Sequence, residues 1–305
     1  MQRSRRDFLK AGSAAAMVGS TFVSGIKAMA KPLSLPLGIQ LYSVRDLLPK
    51  DYDGTLKMIA GLGFREVESA GYYNHSAPDV KRSLAGAGLH LVSAHHAMGD
   101  LRKNIDEIIA FEKQLGVATI ICSSPALKDP SRLEKMKPEE RHNAFTLDDW
   151  HWNAEQLNTF SDKVTAAGMK FGYHNHYTEF KTTDGKVPYE ELMRLTDPAK
   201  VTFEMDCGWV VVGGGDPVTL LSKYPTRITM LHVKDFTFKE AKAPHSEPTV
   251  KELGLGSIDY APIFAAAGKT GHIKHVFAEQ EAFNVPPVES LGIDAKYLRK
   301  QGLGT

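Results

Sequence analysis

Cysteine is nearly absent. Cys122 and Cys207 are the two among 305 residues, too few for a disulfide framework, and each falls beside the end of an apolar run, where a buried free thiol is expected. An excess of charge of either sign is missing too: 37 Lys plus Arg against 36 Asp plus Glu leave a net charge of +1, which indicates neither nucleic acid nor a membrane surface as partner. After residue 30 no apolar run approaches the ~18 residues that a membrane-crossing helix needs. A glycine-rich phosphate turn after the first strand is also lacking. Gln40-Leu41-Tyr42-Ser43 stands there instead, and Gly213-Gly214-Gly215 does not have dinucleotide spacing. At 42% hydrophobic and 24% charged, the composition is that of a soluble enzyme with one large domain or two small ones.

The first thirty residues read as an address, not as fold. Ser4-Arg5-Arg6-Asp7-Phe8-Leu9-Lys10 fits a twin-arginine export signal at every position, a weakly apolar run rich in Ala, Gly and Ser follows, and Ala28-Met29-Ala30 offers small residues for cleavage. Residues 1–30 are therefore expected to be a cleavable signal, with the mature chain periplasmic or otherwise exported after folding and metal loading in the cytoplasm. An amphipathic first helix is the plainer alternative.

From residue 31 onward strand and helix alternate with a period of about 30 residues. Strands are predicted over 37–44, 64–69, 90–95, 118–123, 170–175, 201–205, 228–233 and 275–278, with helices between them that stop at Gly63, Gly88, Gly116 and Gly168. Eight strand-then-helix units predict an α/β fold, a single (β/α)₈ TIM barrel over 31–305; the open doubly wound sheet is the runner-up. Two polar insertions, 125–145 and 236–256, follow the fourth and seventh strands and so lie on the active-site side. They are solvated loops, or else a lid or a contact between copies in a homo-oligomer, and His245 in the second is a candidate to reach the pocket.

Buried parallel strands tolerate charge only where they surface. Here the apolar runs end in His95 and His96, His174 and His176, Glu204 and Asp206, His232 and Lys234, and Glu279 and Glu281. Two imidazoles and two carboxylates converging at the strand ends make a divalent-metal site, with Zn²⁺, Mn²⁺ or Co²⁺ suited to mixed N/O donors and Mg²⁺ wanting more oxygen.

In Gly63-Phe64-Arg65-Glu66-Val67-Glu68, Ser93-Ala94-His95, His174-Asn175-His176, Met205-Asp206-Cys207-Gly208-Trp209, His232-Val233-Lys234-Asp235 and Phe277-Ala278-Glu279-Gln280, in this order, the chain resembles the sugar phosphate isomerase/epimerase family with the xylose isomerase-like barrel. The resemblance implies one divalent ion (Mn, Zn, Co or Mg) held by four strand-end residues, which fall here on His174, Asp206, His232 and Glu279. It also implies a small carbohydrate substrate. Two departures stand out: a family carboxylate is replaced by His174, and a family histidine by Trp209, whose indole offers a face to sugar C–H groups.

These departures weaken a two-base epimerase and favour one base plus one Lewis acid. The expected enzyme is a metal-dependent isomerase or epimerase that forms an enediolate from a non-phosphorylated sugar or keto-sugar, since export disfavours phosphorylated ones. The alternative on the same site is a 3-keto-glycoside lyase, hydrolase or dehydratase; a non-catalytic exported sugar-binding barrel is the alternative of another class. Catalytic candidates are Glu279, His176, His95 and Lys234. Substrate-contact candidates are Glu68, which would hold a hydroxyl or orient His95, with Trp209 and His96.

Overall fold

A computed structural model describes residues 33–137, 144–238 and 248–304. The signal predicted over 1–30 and His245 lie outside the described residues, as do parts of both insertions.

Eight parallel strands close into a barrel: β1 (Gly38–Gln40), β2 (Glu66–Ser69), β3 (His90–His96), β4 (Thr119–Cys122), β5 (Lys170–His174), β6 (Val201–Asp206), β7 (Ile228–Val233) and β10 (His275–Ala278), each hydrogen-bonded to the next and β10 to β1. The predicted first strand over 37–44 is cut short. Gln40 turns its side-chain oxygen onto the Tyr42 N–H, and Leu41–Val44 coils into a 3₁₀ turn. The helices α1 (Tyr52–Gly61), α2 (Ala77–Ala87), α3 (Met98–Leu115), α4 (Leu147–Ala166), α5 (Pro188–Leu195), α6 (Cys207–Val212), α7 (Pro217–Lys223), α8 (Tyr260–Thr270) and α9 (Pro287–Lys300) follow the strands in turn. Local chemistry sets their ends: Thr146 and Asp149 form a reciprocal capping box on α4, and Gly88 and Gly116 take the left-handed conformation that stops α2 and α3.

Most of the core lies between sheet and helices, where Leu56, Ile59, Leu157, Val164, Leu291 and Leu298 are buried. A second, smaller cluster of Val92, Ile121, Met230 and Phe277 plugs the barrel's interior. Gly38 makes room for this plug, since a Cβ there would sit 2.7 Å from the Phe277 ring and 2.5 Å from the Val276 carbonyl oxygen. Below the plug Glu66 pairs with His275 at 2.8 Å; above it gather Gln40, Glu68, His95, Glu204 and His232.

The second insertion carries a short antiparallel hairpin, β8 (Asp235–Thr237) with β9 (Thr249–Lys251), that the sequence pattern did not reveal. Buried Asp235 ties down the return of this loop: its Oδ1 accepts from the Phe236 and Ile258 N–H groups and its Oδ2 from those of Gly254 and Gly256, all at 2.9–3.1 Å. No helix among the described residues is long and apolar enough to cross a membrane.

Candidate active site

Period-two alternation and strand register decide which side chains enter the mouth. His174 on β5 pairs with Glu204 on β6, and Asp206 with His232 on β7, while β10 delivers Glu279 just past its last residue. The result is two stacked layers.

The lower layer rests on the apolar plug. Glu68 is fully buried: its Oε1 accepts from Gln40 Nε2 at 2.7 Å and lies 2.8 Å from both His95 Nε2 and His232 Nε2, while its Oε2 accepts from Ser93 Oγ at 2.5 Å. Glu204 Oε2 lies 2.7 Å from His95 Nε2, 3.0 Å from His174 Nδ1 and 3.2 Å from His232 Nε2. The rings of His95 and His232 are nearly parallel, at 8° and 5.3 Å.

The upper layer opens toward solvent. Lys234 is buried, and its ammonium sits 3.0 Å from Asp206 Oδ2, 2.9 Å from Glu279 Oε2 and 2.5 Å from Glu281 Oε1. Glu279 Oε2 also meets His232 Nδ1 at 2.9 Å, which links the layers. The lysine stem passes so close over α6 that a Cβ on Gly208 would stand 2.4 Å from its Cγ. Asp206 Oδ1 caps α6 through the Trp209 N–H. The Trp209 indole covers the ammonium at 5.1 Å, with Tyr177 and Phe236 packed beside it.

Charge and burial compete throughout. Burial alone would keep His95 neutral, but the carboxylates of Glu68 and Glu204 override it and push its pKa up to about 9. Burial and the Glu68 charge both resist ionisation of Glu204, yet His232 and His95 bring it down to about 2. For His174, burial and the neighbouring His232 act together and hold the ring neutral. Burial is likewise opposed at Glu279, by Lys234 and His232, which keep it well below the usual carboxylate range; at Asp206 burial wins over Lys234 and the value rises.

The four residues expected to hold a metal do come together: His174, Asp206, His232 and Glu279 each offer an atom within 4.8 Å of the others. A second set, His95, His174, Glu204 and His232, meets the same criterion and shares two imidazoles with the first. The donors fit a divalent cation on chemistry as well, because Glu204 Oε1 is buried with no hydrogen-bond partner among the described residues. Trp209 lies at the mouth as expected. His176 does too, its ring 5.1 Å from that of His174 and without a hydrogen-bond partner among the described residues.

Two candidates for substrate contact are placed elsewhere. His96 turns outward and meets Glu112 of α3 at 2.8 Å, and Tyr72 donates to the same carboxylate. Adjacent strand residues face opposite ways, so His95 excludes His96 from the mouth. Glu68 lies in the lower layer with both oxygens engaged by protein, which leaves it to orient His95 and His232 rather than a hydroxyl. Sequence reasoning gave no role to Gln40, Ser93 or Glu204; Glu204 stood among the strand-end carboxylates, two residues before Asp206 and so on the same face.

Residues 56–301 match the family described as the xylose isomerase-like TIM barrel. The chain belongs to that family. It is similar to an inosose dehydratase of Lacticaseibacillus casei, 26% identical over 255 residues that span 77% of this chain and 85% of the relative. Among solved structures, a sugar phosphate isomerase/epimerase from Parabacteroides distasonis superposes with a TM-score of 0.71 at 26% identity, covering 88% of this chain and 98% of that one. A 3-keto-D-glucoside 4-epimerase from E. coli shares the fold at a TM-score of 0.65 and 15% identity, over 88% of this chain and all of the other.

Proposed function

We propose that this chain is a divalent-cation-dependent carbon–oxygen lyase, a dehydratase in kind, acting on a keto-polyol or non-phosphorylated keto-sugar. The carrying observation is that the mouth is one-sided. Glu279, Glu281 and Lys234 crowd the β7/β10 side, whereas β5 presents the imidazoles of His174 and His176 and no carboxylate. The similarity to inosose dehydratases supports the same branch of the chemistry.

The shell that would hold the cation centres on His174 and His232, the imidazoles common to both donor sets. When bound, the cation supplies Lewis acidity to the substrate's carbonyl and adjacent hydroxyl. Glu279 takes the proton α to the carbonyl. Lys234 holds that carboxylate ionised and offers its ammonium to negative charge developing on the substrate oxygen. His176 delivers a proton to the departing β-hydroxyl, and Trp209 with Tyr177 forms a wall for the ring's C–H face. An α-proton and a β-hydroxide leave, so the balance is loss of one water.

The second reading, isomerisation or epimerisation, needs the α-proton returned instead, and the likeness to the Parabacteroides isomerase/epimerase favours keeping it. Incubation of cation-loaded protein with keto-cyclitols and 3-keto-glycosides in D₂O separates the two. An unsaturated ketone formed with loss of water supports the lyase; a deuterated epimer with no loss of oxygen supports the isomerase. No turnover, with ligand binding unchanged in Glu279→Gln, would instead leave a sugar-binding barrel. Export belongs to the proposal through Arg5 and Arg6. Replacing both by Lys should retain the protein in the cytoplasm, as cell fractionation would register.

A further inference from the structure

We propose that Ser43 and Arg45, on the turn after β1, are positioning residues for the reaction: they clamp the main chain at Gln280 and Glu281 and so fix Glu279 and Glu281 against Lys234. This role rests on the reading of Glu279 as the base, and it is exerted through the backbone rather than by contact with substrate.

Glu279 and Glu281 stand beyond the sheet. β10 ends at Ala278, and on its β1 side the ladder stops where Ile39 meets Ala278. It stops there because β1 coils early, with the Gln40 side chain accepting from the Tyr42 N–H. Among the described residues no backbone hydrogen bond joins Gln280 or Glu281 to that turn. Two side chains of the turn take over. Ser43 is buried, and its Oγ accepts from the Gln280 N–H at 2.8 Å. Arg45 Nη2 donates to the Glu281 carbonyl oxygen at 2.9 Å, while its Nη1 donates to the Tyr42 carbonyl oxygen at 2.9 Å. From the other side the Glu279 N–H donates to the Val233 carbonyl oxygen at 3.0 Å. Three successive residues are thus tied, one to β7 and two to the turn after β1.

The tie matters because of what the segment carries. The Lys234 ammonium lies 2.9 Å from Glu279 Oε2 and 2.5 Å from Glu281 Oε1, so one buried cation bridges two side chains of the same short stretch. Any slide of that main chain changes both contacts, and a misplacement of about 1 Å at a reacting group costs up to about 100-fold in rate. Arginine suits the task. Its planar fork reaches two carbonyl oxygens at once, its charge strengthens both hydrogen bonds, and the guanidinium is held flat over the Tyr42 ring, 4.2 Å from the centroid. The early coil of β1 therefore exchanges a backbone ladder for a side-chain clamp at the place where the carboxylates leave the sheet.

The test compares full-length wild type with Arg45→Met and Arg45→Lys, each loaded with Mn²⁺ and given keto-cyclitols and 3-keto-glycosides. In Arg45→Met the Gln280 amide should exchange its hydrogen about 10-fold faster or more, while residues 228–233 of β7 keep their wild-type rates. The same variant should lose about 10- to 100-fold in kcat with KM within about threefold of wild type. Arg45→Lys keeps the charge but not the fork, and should recover part of the kcat. Unchanged exchange, or faster exchange at unchanged kcat, would overturn the proposal. A raised KM at unchanged kcat would overturn it too, since that marks a direct substrate contact. If Arg45→Met loosens β7 as well, Ser43→Ala decides the matter: it removes only the acceptor of the Gln280 N–H and must reproduce the local exchange and the loss in kcat. A wild type that turns over none of these ketones would overturn the elimination reading, and the exchange rates would still decide whether the clamp exists.

Discussion

Replacement of Lys234 by Met tests the upper layer without touching the lower. The side chain is buried, and its ammonium is the shared partner of Asp206, Glu279 and Glu281. Met keeps most of the stem's volume and its contact with α6 but leaves three carboxylates facing one another across the gap. Removing one partner of a buried ionic network costs about 3–5 kcal/mol, because the remaining charges stay desolvated and lose their counter-charge. In a domain of this size each kcal/mol moves the midpoint of thermal unfolding by about 2–4 °C, so a drop of roughly 6–20 °C is expected by scanning calorimetry near neutral pH. Turnover should disappear as well. Lys223→Met is the control: that ammonium meets Glu190 at 2.6 Å on the surface, where an ion pair adds little, and the midpoint should stay where it is. A Lys234→Met melt that coincides with wild type would refute the reasoning, since the three carboxylates would then not depend on the ammonium for their place.

Three further outcomes follow from the same geometry. Gly208→Ala forces a methyl into the space taken by the Lys234 stem, with the Lys234 carbonyl oxygen at 2.9 Å and the Phe236 ring at 3.0 Å closing the escape routes; overpacking should cost about 1–3 kcal/mol, and displacement of the ammonium about 10- to 100-fold in kcat, measured by urea melts and steady-state kinetics. Asp235→Asn keeps one pair of backbone hydrogen bonds but turns an NH₂ onto the other two N–H groups, and losing two such bonds at about 1–3 kcal/mol each should appear as faster hydrogen exchange at residues 254–258 and a melt lowered by roughly 2–6 kcal/mol. Asp294 is buried, and that burial, only partly offset by the N–H of Leu253 at 2.7 Å, pushes its pKa up to about 7. The folded protein therefore keeps this proton to about pH 7, whereas the unfolded chain gives it up near pH 3.9, so the contribution to stability is largest at low pH and falls by about 1.4 kcal/mol per unit until it levels off near pH 7. Asp294→Asn retains the acceptor and should flatten that slope, read as urea midpoints at pH 5 and pH 8.

The barrel was legible because its strands are buried on both faces and read as short apolar runs at regular spacing; the strands predicted over 228–233 and 275–278 fall on their predicted bounds. The charged residues at the strand ends were legible for the same reason, since each stands where a buried run surfaces. Neighbours were not legible. Alternation says that Glu204 and Asp206 share a face, with Glu204 the deeper as the one further from the strand's end, but not that three imidazoles gather round it. Nor does it reveal that Lys234 reaches back over Gly208 into the carboxylates, because that depends on clearance between β7 and α6. His95 and His96 are neighbours of identical type, and only the strand's parity, fixed by pairing across β2 and β4, tells the buried mouth residue from the one that faces Glu112. The hairpin within the second insertion was hidden by its size: Asp-Phe-Thr and Thr-Val-Lys alternate over three residues each, too short a run to stand out from a polar loop.

At His174 the chain departs from the carboxylate that the resemblance assigns to that place on the fifth strand. Across the β5/β6 ladder the imidazole pairs with Glu204, whose Oε2 lies 3.0 Å from its Nδ1. The β5 wall of the pocket therefore lacks the base that would return a proton to the opposite face of a planar intermediate, while Glu279 remains on the β10 side. Placing an acid there with His174→Glu should raise epimer formation relative to loss of water, read as the ratio of deuterated epimer to unsaturated ketone in D₂O. An unchanged ratio in a folded variant would show that the missing fifth-strand carboxylate is not what biases the mouth toward elimination.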